Sequence, residues 1–286
     1  YLVEEKRIDV NALDDFERTA LHLAIEAGHL AVIRYLVDEK GADVNVIDDE
    51  GRAVLHLASG AGHLAVIQYL VDEKGIDVNM RDSDESIALH YAAQGGHLAV
   101  VKYLVEEKKA DVNALDKFRK AILHSAAERG NLAVVKYLVE EGRVDVNAQN
   151  VQGTTALHCA TIEGDLRVIR YLVETGLSDV NASNNWGTTA LHWAIKKGYL
   201  AIVKYLVEEG EAGVNVRDCH GKTALHWAAQ EGHMETIEYL VEKGEADISA
   251  CDNRRRTALH GASEAGHLAV IKYLVGEKEI DINTRD

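Results

Sequence analysis

Fourteen histidines stand in this 286-residue chain, enough in principle for metal sites or proton transfer, so their spacing is the first thing to weigh. Eight follow a leucine (Ile122-Leu123 in one copy) at intervals of 34 residues: His22, His56, His90, His124, His158, His192, His226 and His260. Five follow a glycine, His29, His63, His97, His233 and His267, and His220 alone falls outside both columns. A fixed period of this size means one supersecondary unit copied and stacked. Equivalent residues on stacked helices sit roughly 8–10 Å apart, whereas Zn–N bonds are about 2 Å. Neighbouring copies point in parallel and cannot converge on one ion. The expected role is therefore structural, an imidazole hydrogen bond to loop backbone between units, with no metal bound. The Asp9 column repeats in the same way, with Gly213 its exception, and reads as a turn residue bonding nearby N–H groups, not as an acid–base pair. Cys219, His220 and Cys251 lie on adjacent loop tips and could offer thiol or metal chemistry. Nothing encloses them from water and no third group orients the histidine, so we expect no enzyme activity and no cofactor.

The elements behind these columns follow from one unit. Ala20, Leu21 and Ala24 begin a short helix, and Gly28, a glycine in all eight copies, ends it as a left-handed cap. Asn131 and Asp165 in the next column are good N-caps, which predicts the start of a second helix there. Leu30, Ile33, Leu36 and Val37 then recur at helical spacing. Gly142, Gly176, Gly210 and Gly244 mark its stop in four copies. Tyr35 and its equivalents are packing residues of this helix. The rest, Asp-Val-Asn and a polar turn such as Asp218-Cys219-His220-Gly221, reads as an extended hairpin-like connection. The units run 9–42, 43–76, 77–110, 111–144, 145–178, 179–212, 213–246 and 247–280. Because a stacked array grows by nearest-neighbour contacts, length does not force a second domain, and 1–286 is read as one array. Tyr1-Leu2-Val3 repeats Tyr35-Leu36-Val37, and Asp281-Ile282-Asn283 repeats Asp9-Val10-Asn11, so both ends cut a unit and the chain is expected to be a fragment. Uncovered end faces predict fraying or end-to-end self-association.

With Thr223-Ala224-Leu225-His226-Trp227-Ala228-Ala229, Gly232-His233 and the Asp145 to Ala148 entry, the chain resembles the ankyrin repeat family over its whole length. The resemblance implies an all-α superhelical solenoid of stacked helix-turn-helix units with hairpin loops. Two features depart from the family: the proline before Leu-His is Ala, Val or Ile in every copy, and the period is 34 instead of 33. The missing proline removes a preset φ but no hydrogen bond. The extra residue is expected after the second helix, around Lys40-Gly41 or Gly142-Arg143. The resemblance also implies that the Asn of Asp-Val-Asn, as at Asn45, Asn79 and Asn113, could be an asparaginyl hydroxylase target. The leucine common eight residues before that Asn is Val37 here, which weakens the carry-over.

Function must sit in what the copies do not share. In the resembled family partners bind a concave face of hairpin tips and first helices, which here means the columns of Leu13, Asp15, Phe16, Arg18, Glu26 and Ala27, with Leu23 at their margin. All two Phe and three Trp lie in these columns: Phe16, Phe118 and Trp186 at the tip, Trp193 and Trp227 on the helix. A large aromatic required by generic packing would recur in every copy. Charge changes sign along the same columns. Arg18, Arg52 and Arg81 face Asp15, Glu26, Asp49, Glu50 and Asp84 in the first three units, and later units are mainly basic through Lys120, Arg129, Lys196, Lys222, Arg254 and Arg256. Together with His220 these residues define the expected partner site for another protein with an acidic or apolar segment. The net charge of −16 belongs to the framework and excludes a nucleic-acid binder. Apolar runs such as 98–105 fall far short of about 18 residues, so no membrane insertion is expected. Three unpatterned cysteines suit a reducing compartment, cytoplasmic or nuclear. The other reading is a structural spacer or hydroxylase substrate with no dedicated partner.

Overall fold

The computed structural model describes residues 9–276, which fall into two compact units divided between Asp145 and Val146. The chain-end repeats Tyr1–Val3 and Asp281–Asn283, and the self-association expected from them, lie outside the described residues. Every regular element among the described residues is a helix.

In the first unit the helices come in pairs. α1 (Ala20–Glu26) is followed by α2 (Leu30–Arg34), α3 (Val54–Ala61) by α4 (Leu64–Gln68), α5 (Ala88–Gly95) by α6 (Leu98–Lys102), and α7 (Ile122–Ala127) by α8 (Leu132–Glu140). α2, α4 and α6 each continue into a π-helical turn, at Tyr35–Glu39, Tyr69–Glu73 and Tyr103–Glu107. The second unit repeats the pattern: α9 (Ala156–Glu163) with α10 (Leu166–Glu174), α11 (Ala190–Lys196) with α12 (Leu200–Glu208), α13 (Ala224–Glu231) with α14 (Met234–Glu242), and α15 (Ala258–Ala265) with α16 (Leu268–Gly276). Within each unit the first helix of a pair packs on the first helix of the next. Their apolar columns, Leu89, Ala92 and Ala93 or Leu225, Ala228 and Ala229, are buried together with Val100, Val101 and Leu104 or Ile237 and Leu240 of the second helices. No single pair has a core of its own, so the repeat of the sequence is a repeat of interfaces.

Both histidine columns carry the structural role expected of them. In the first, Nδ1 accepts the backbone N–H three residues earlier, as in Thr19 to His22 (2.9 Å), Ala53 to His56 (3.0 Å) and Ile87 to His90 (3.2 Å). Nε2 then reaches the loop of the following pair: His56 to Met80 O (3.0 Å), His158 to Thr188 O (3.1 Å), His226 to Arg256 O (2.9 Å). An accepting Nδ1 with a donating Nε2 defines the neutral tautomer. In the second column the imidazole reaches back to the preceding first helix, His63 to Glu26 O and His97 to Gly60 O, both 2.9 Å. This explains the glycine that precedes it. Gly62 is left-handed (φ 77°), and a Cβ there would stand 2.4 Å from the His97 ring. Asn131 differs from expectation, because its amide does not cap α8. Its Nδ2 donates backward to Ala93 O and Gln94 O (2.9 and 2.8 Å), as the histidines do. Asp165 does cap α10, accepting from the N–H of Arg167 and Val168 at 3.0 and 3.2 Å.

In most of the described copies the extra residue is taken up where expected, as a wide last turn. Lys40 N–H bonds Tyr35 O (3.2 Å) and Ala42 N–H bonds Leu36 O (2.9 Å), and Gly210 to Tyr205 O (3.1 Å) and Ala212 to Leu206 O (2.9 Å) do the same. The stop glycines work differently from the expectation in three copies. The left-handed residue is the one after them, Arg143, Glu211 or Glu245, and only Gly176 holds that conformation itself. Gly142 is required for space, since a Cβ would lie 2.6 Å from Leu138 O.

Candidate interaction site

The hairpin tips are built around a residue the sequence reading passed over. Asp48 Oδ1 accepts the backbone N–H of Glu50 (3.1 Å) and Arg52 (2.8 Å), and the turn closes by Asp48 N–H to Arg52 O (3.1 Å). The same pair of bonds holds Asp14, Asp82, Asp116, Asn150, Asn184, Asp218 and Asp252 in their tips. The signal was available, since that column is Asp or Asn in every copy. Burial works to raise the Asp252 carboxyl, but the N–H groups of Arg256 and Arg254 and the Arg256 guanidinium outweigh it and hold it below the usual range. The Asp9 column behaves as expected one turn earlier, accepting N–H two residues on, as in Asn79 to Asp77 (2.9 Å).

Tips also bond to one another. In the second unit Asn185 N–H donates to Gln152 O (3.0 Å), Cys219 N–H to Trp186 O (2.8 Å) and Asn253 N–H to His220 O (2.9 Å). Gly187 permits this approach, being left-handed (φ 71°) with its missing Cβ 2.8 Å from Cys219 N. The ladder places Trp186, His220 and Arg254 on three consecutive, mutually bonded tips. Trp186 is 48% exposed. Beside it on the first helices, Lys196 Nζ lies over two indoles, 5.0 Å from the Trp193 centroid and 5.5 Å from that of Trp227. Trp227 Nε1 donates to Asp218 Oδ2 (3.1 Å), and its ring meets His192 edge-on at 5.9 Å. Both helix tryptophans are half-buried. Next to them His220, Lys222, Asp252, Asn253, Arg254 and Arg256 line a cleft of about 210 Å³. Lys222 donates to Gln230 (2.6 Å), and Arg256 pairs with Asp252 (3.1 Å) and Glu264 (3.2 Å).

In the first unit, Phe16 (59% exposed) lies under the Arg18 guanidinium at 5.1 Å, and Phe118 (49%) under Lys117 at 5.1 Å. The basic spot at 117–120 is compensated: Lys117 pairs with Asp84 and Lys120 with Glu128, each at 2.5 Å, while Arg129 is exposed. In the second unit's cleft Arg256 is paired likewise, while Lys222 is bonded to a neutral amide. Asn45, Asn79 and Asn113 are exposed, and Asn79 Oδ1 accepts Asp111 N–H (2.9 Å) from the next loop. Cys219 is exposed and Cys251 donates to Ser249 O. No cluster of three or more His, Cys, Asp or Glu able to hold a metal occurs among the described residues.

A family model described as ankyrin repeats (3 copies) matches residues 1–82, 79–150, 123–218 and 209–286. The chain belongs to the ankyrin repeat family. Its helix-turn-helix units are therefore those of an ankyrin solenoid, and ankyrin repeats are in general protein-interaction modules. No curated protein matches the sequence. No helix of the described residues is long and apolar enough to cross a membrane.

Proposed function

We propose that this ankyrin array is a non-catalytic scaffold that binds an acidic segment of another protein on the tips and first helices of its second unit. The observation that carries the reading is the half-exposed Trp186, set on bonded tips beside the Trp193–Lys196–Trp227 stack and the basic cleft of Lys222, Arg254 and Arg256. Aromatic and arginine anchors dominate binding energy at interfaces, and a basic rim steers an acidic partner. The framework needs none of these residues, since the shared histidine, Asp/Asn and leucine columns hold each repeat without them. Within this reading 1–286 is one array of eight 34-residue repeats. The three cysteines, which follow no pairing pattern and of which one is exposed, suit a cytoplasmic or nuclear setting. The test is affinity capture from a cell lysate with the full chain and with a Trp186→Ala, Trp227→Ala double variant whose thermal unfolding is checked. The reading expects proteins retained by the first and lost by the second. Identical capture by two folded chains would reject it.

A further inference from the structure

Repeats with an aromatic on the first helix show a shared arrangement that fails once. Tyr91 donates to Asp82 Oδ2 (2.6 Å), and Trp227 donates to Asp218 Oδ2 (3.1 Å), in each case across nine residues. Trp193 stands in the same register to Asn184. Asn184 Oδ1 is committed to the backbone N–H of Trp186 and Thr188, both at 3.0 Å, so the amide cannot flip without facing two donors. Its Nδ2 must therefore occupy the place that a carboxylate oxygen holds at Asp82 and Asp218. A donor cannot receive a donor. Asn184 Nδ2 and Trp193 Nε1 are accordingly both buried without a hydrogen-bond partner, and so is Thr188 Oγ1. Asn184 is 5% exposed and Thr188 4%. Leaving such buried groups without partners is unfavourable. One position nearby lacks its usual charge as well: Thr188 stands where Arg52 and Arg256 pair with their tip aspartates. The spot is short of one acceptor and has a lysine, Lys196, lying across its indole.

We propose that Asn184 Nδ2, Trp193 Nε1 and Thr188 Oγ1, with Lys196 above them, receive one carboxylate of a partner's Asp or Glu side chain. The proposal rests on the function given above and names the group that enters this repeat. A carboxylate offers two oxygens and about four lone-pair directions, which matches several orphaned donors and one ammonium. A neutral amide would satisfy fewer of them and leave Lys196 unpaired. Entry requires the flexible Lys196 side chain to swing from the indole face, and the incoming charge compensates the lost cation–π contact.

The test uses the full chain labelled with ¹⁵N, the three indole N–H resonances assigned by Trp→Phe variants, and two probes, blocked hexaglutamate and blocked hexaglutamine. Hexaglutamate is expected to move the Trp193 resonance downfield, with the Trp227 resonance, already bonded to Asp218, moving less. Hexaglutamine should leave Trp193 in place. Asn184→Asp supplies the missing acceptor internally, as Asp does in six of the eight copies of that column, so the variant folds. It should shift Trp193 without any probe and weaken hexaglutamate binding by about tenfold or more, a loss on the order of one charge-assisted hydrogen bond. Movement of Trp186 alone, or unchanged affinity in Asn184→Asp, would overturn the proposal and leave the interaction face standing. Movement of none of the three would overturn both.

Discussion

At the scale of the residue, the first-helix histidine accepts a backbone N–H at Nδ1, and in His56, His90, His158 and His226 Nε2 is bonded as well, so protonation would turn the accepting Nδ1 into a second donor. Burial, partly offset by Asp48, Asp82 or Asp252 and by backbone carbonyls, holds His22, His56 and His226 below the ordinary value, and holds His192 at about 4. The unfolded chain has these groups near 6.5. Between the two values the unfolded state binds more protons, so stability is fully present above about pH 6.5 and is lost as pH falls through the folded values. His192 alone accounts for roughly 3 kcal/mol of that loss. Urea midpoints measured from pH 7.5 to 4.5 should fall steeply below pH 6.5. A flat profile would mean that the ring does not need its neutral form. The histidine columns were legible in the sequence as structural because parallel copies cannot share an ion. The tip aspartate was legible in the same way, as a column of Asp or Asn in every copy, but which two backbone N–H groups it accepts follows only from the geometry of the turn. The mismatch at Asn184 was equally hidden, since it depends on which amide atom faces Trp193.

At the scale of the element, two turns set local strain. Glu211 and Glu245 sit at φ 54° and 55° in the wide turn, where Gly41 and Gly75 stand in other copies at φ 71° and 69°. Left-handed backbone costs a non-glycine residue about 1–2 kcal/mol, against roughly 0.5–1 kcal/mol of entropy for glycine. Glu211→Gly and Glu245→Gly should each raise stability by roughly 0.5–1 kcal/mol, read as a higher urea midpoint with an unchanged slope. A lower midpoint would show that the side chain contributes more than the strain. The tips carry the same cost at Glu85 (φ 60°) and Arg119 (φ 58°), where the turn keeps its type without glycine. Ile87 and Ala121 replace the threonine found at most first-helix starts, but their N–H groups still reach His90 and His124 (3.2 and 3.1 Å), so the cap survives in part. Strain at the tips and not a missing cap is what remains to soften these repeats. Amide exchange should be faster at 82–86 and 116–120 than at 184–188 and 218–222, with a smaller difference in the helices that follow. Equal rates would mean that packing between helices sets local opening. Helix pairs could be read directly because the glycine that closes the first helix stands in every copy, just before the 3.6-residue stripe of the second. The π-turn could not, since an i to i−5 bond follows from backbone geometry and no residue type announces it.

At the scale of the whole molecule, a net charge of −16 coexists with a cleft lined by Lys222, Arg254 and Arg256, because most of the acidic residues lie outside the variable columns. Binding of an acidic segment should therefore weaken as salt rises, while stability changes little, since the surface ion pairs contribute weakly. Affinity that holds constant from 50 to about 500 mM salt would remove charge from the account. The central claim is that the shared columns build the repeat and the unshared ones, with Trp186 foremost, bind. Its most direct test is the dissociation constant of a captured partner for the full chain before and after Trp186→Ala. An anchor of this kind is worth about 2 kcal/mol, so the account predicts binding roughly 30-fold weaker in the variant, with the thermal midpoint unchanged. An unaltered dissociation constant in a folded variant would contradict it.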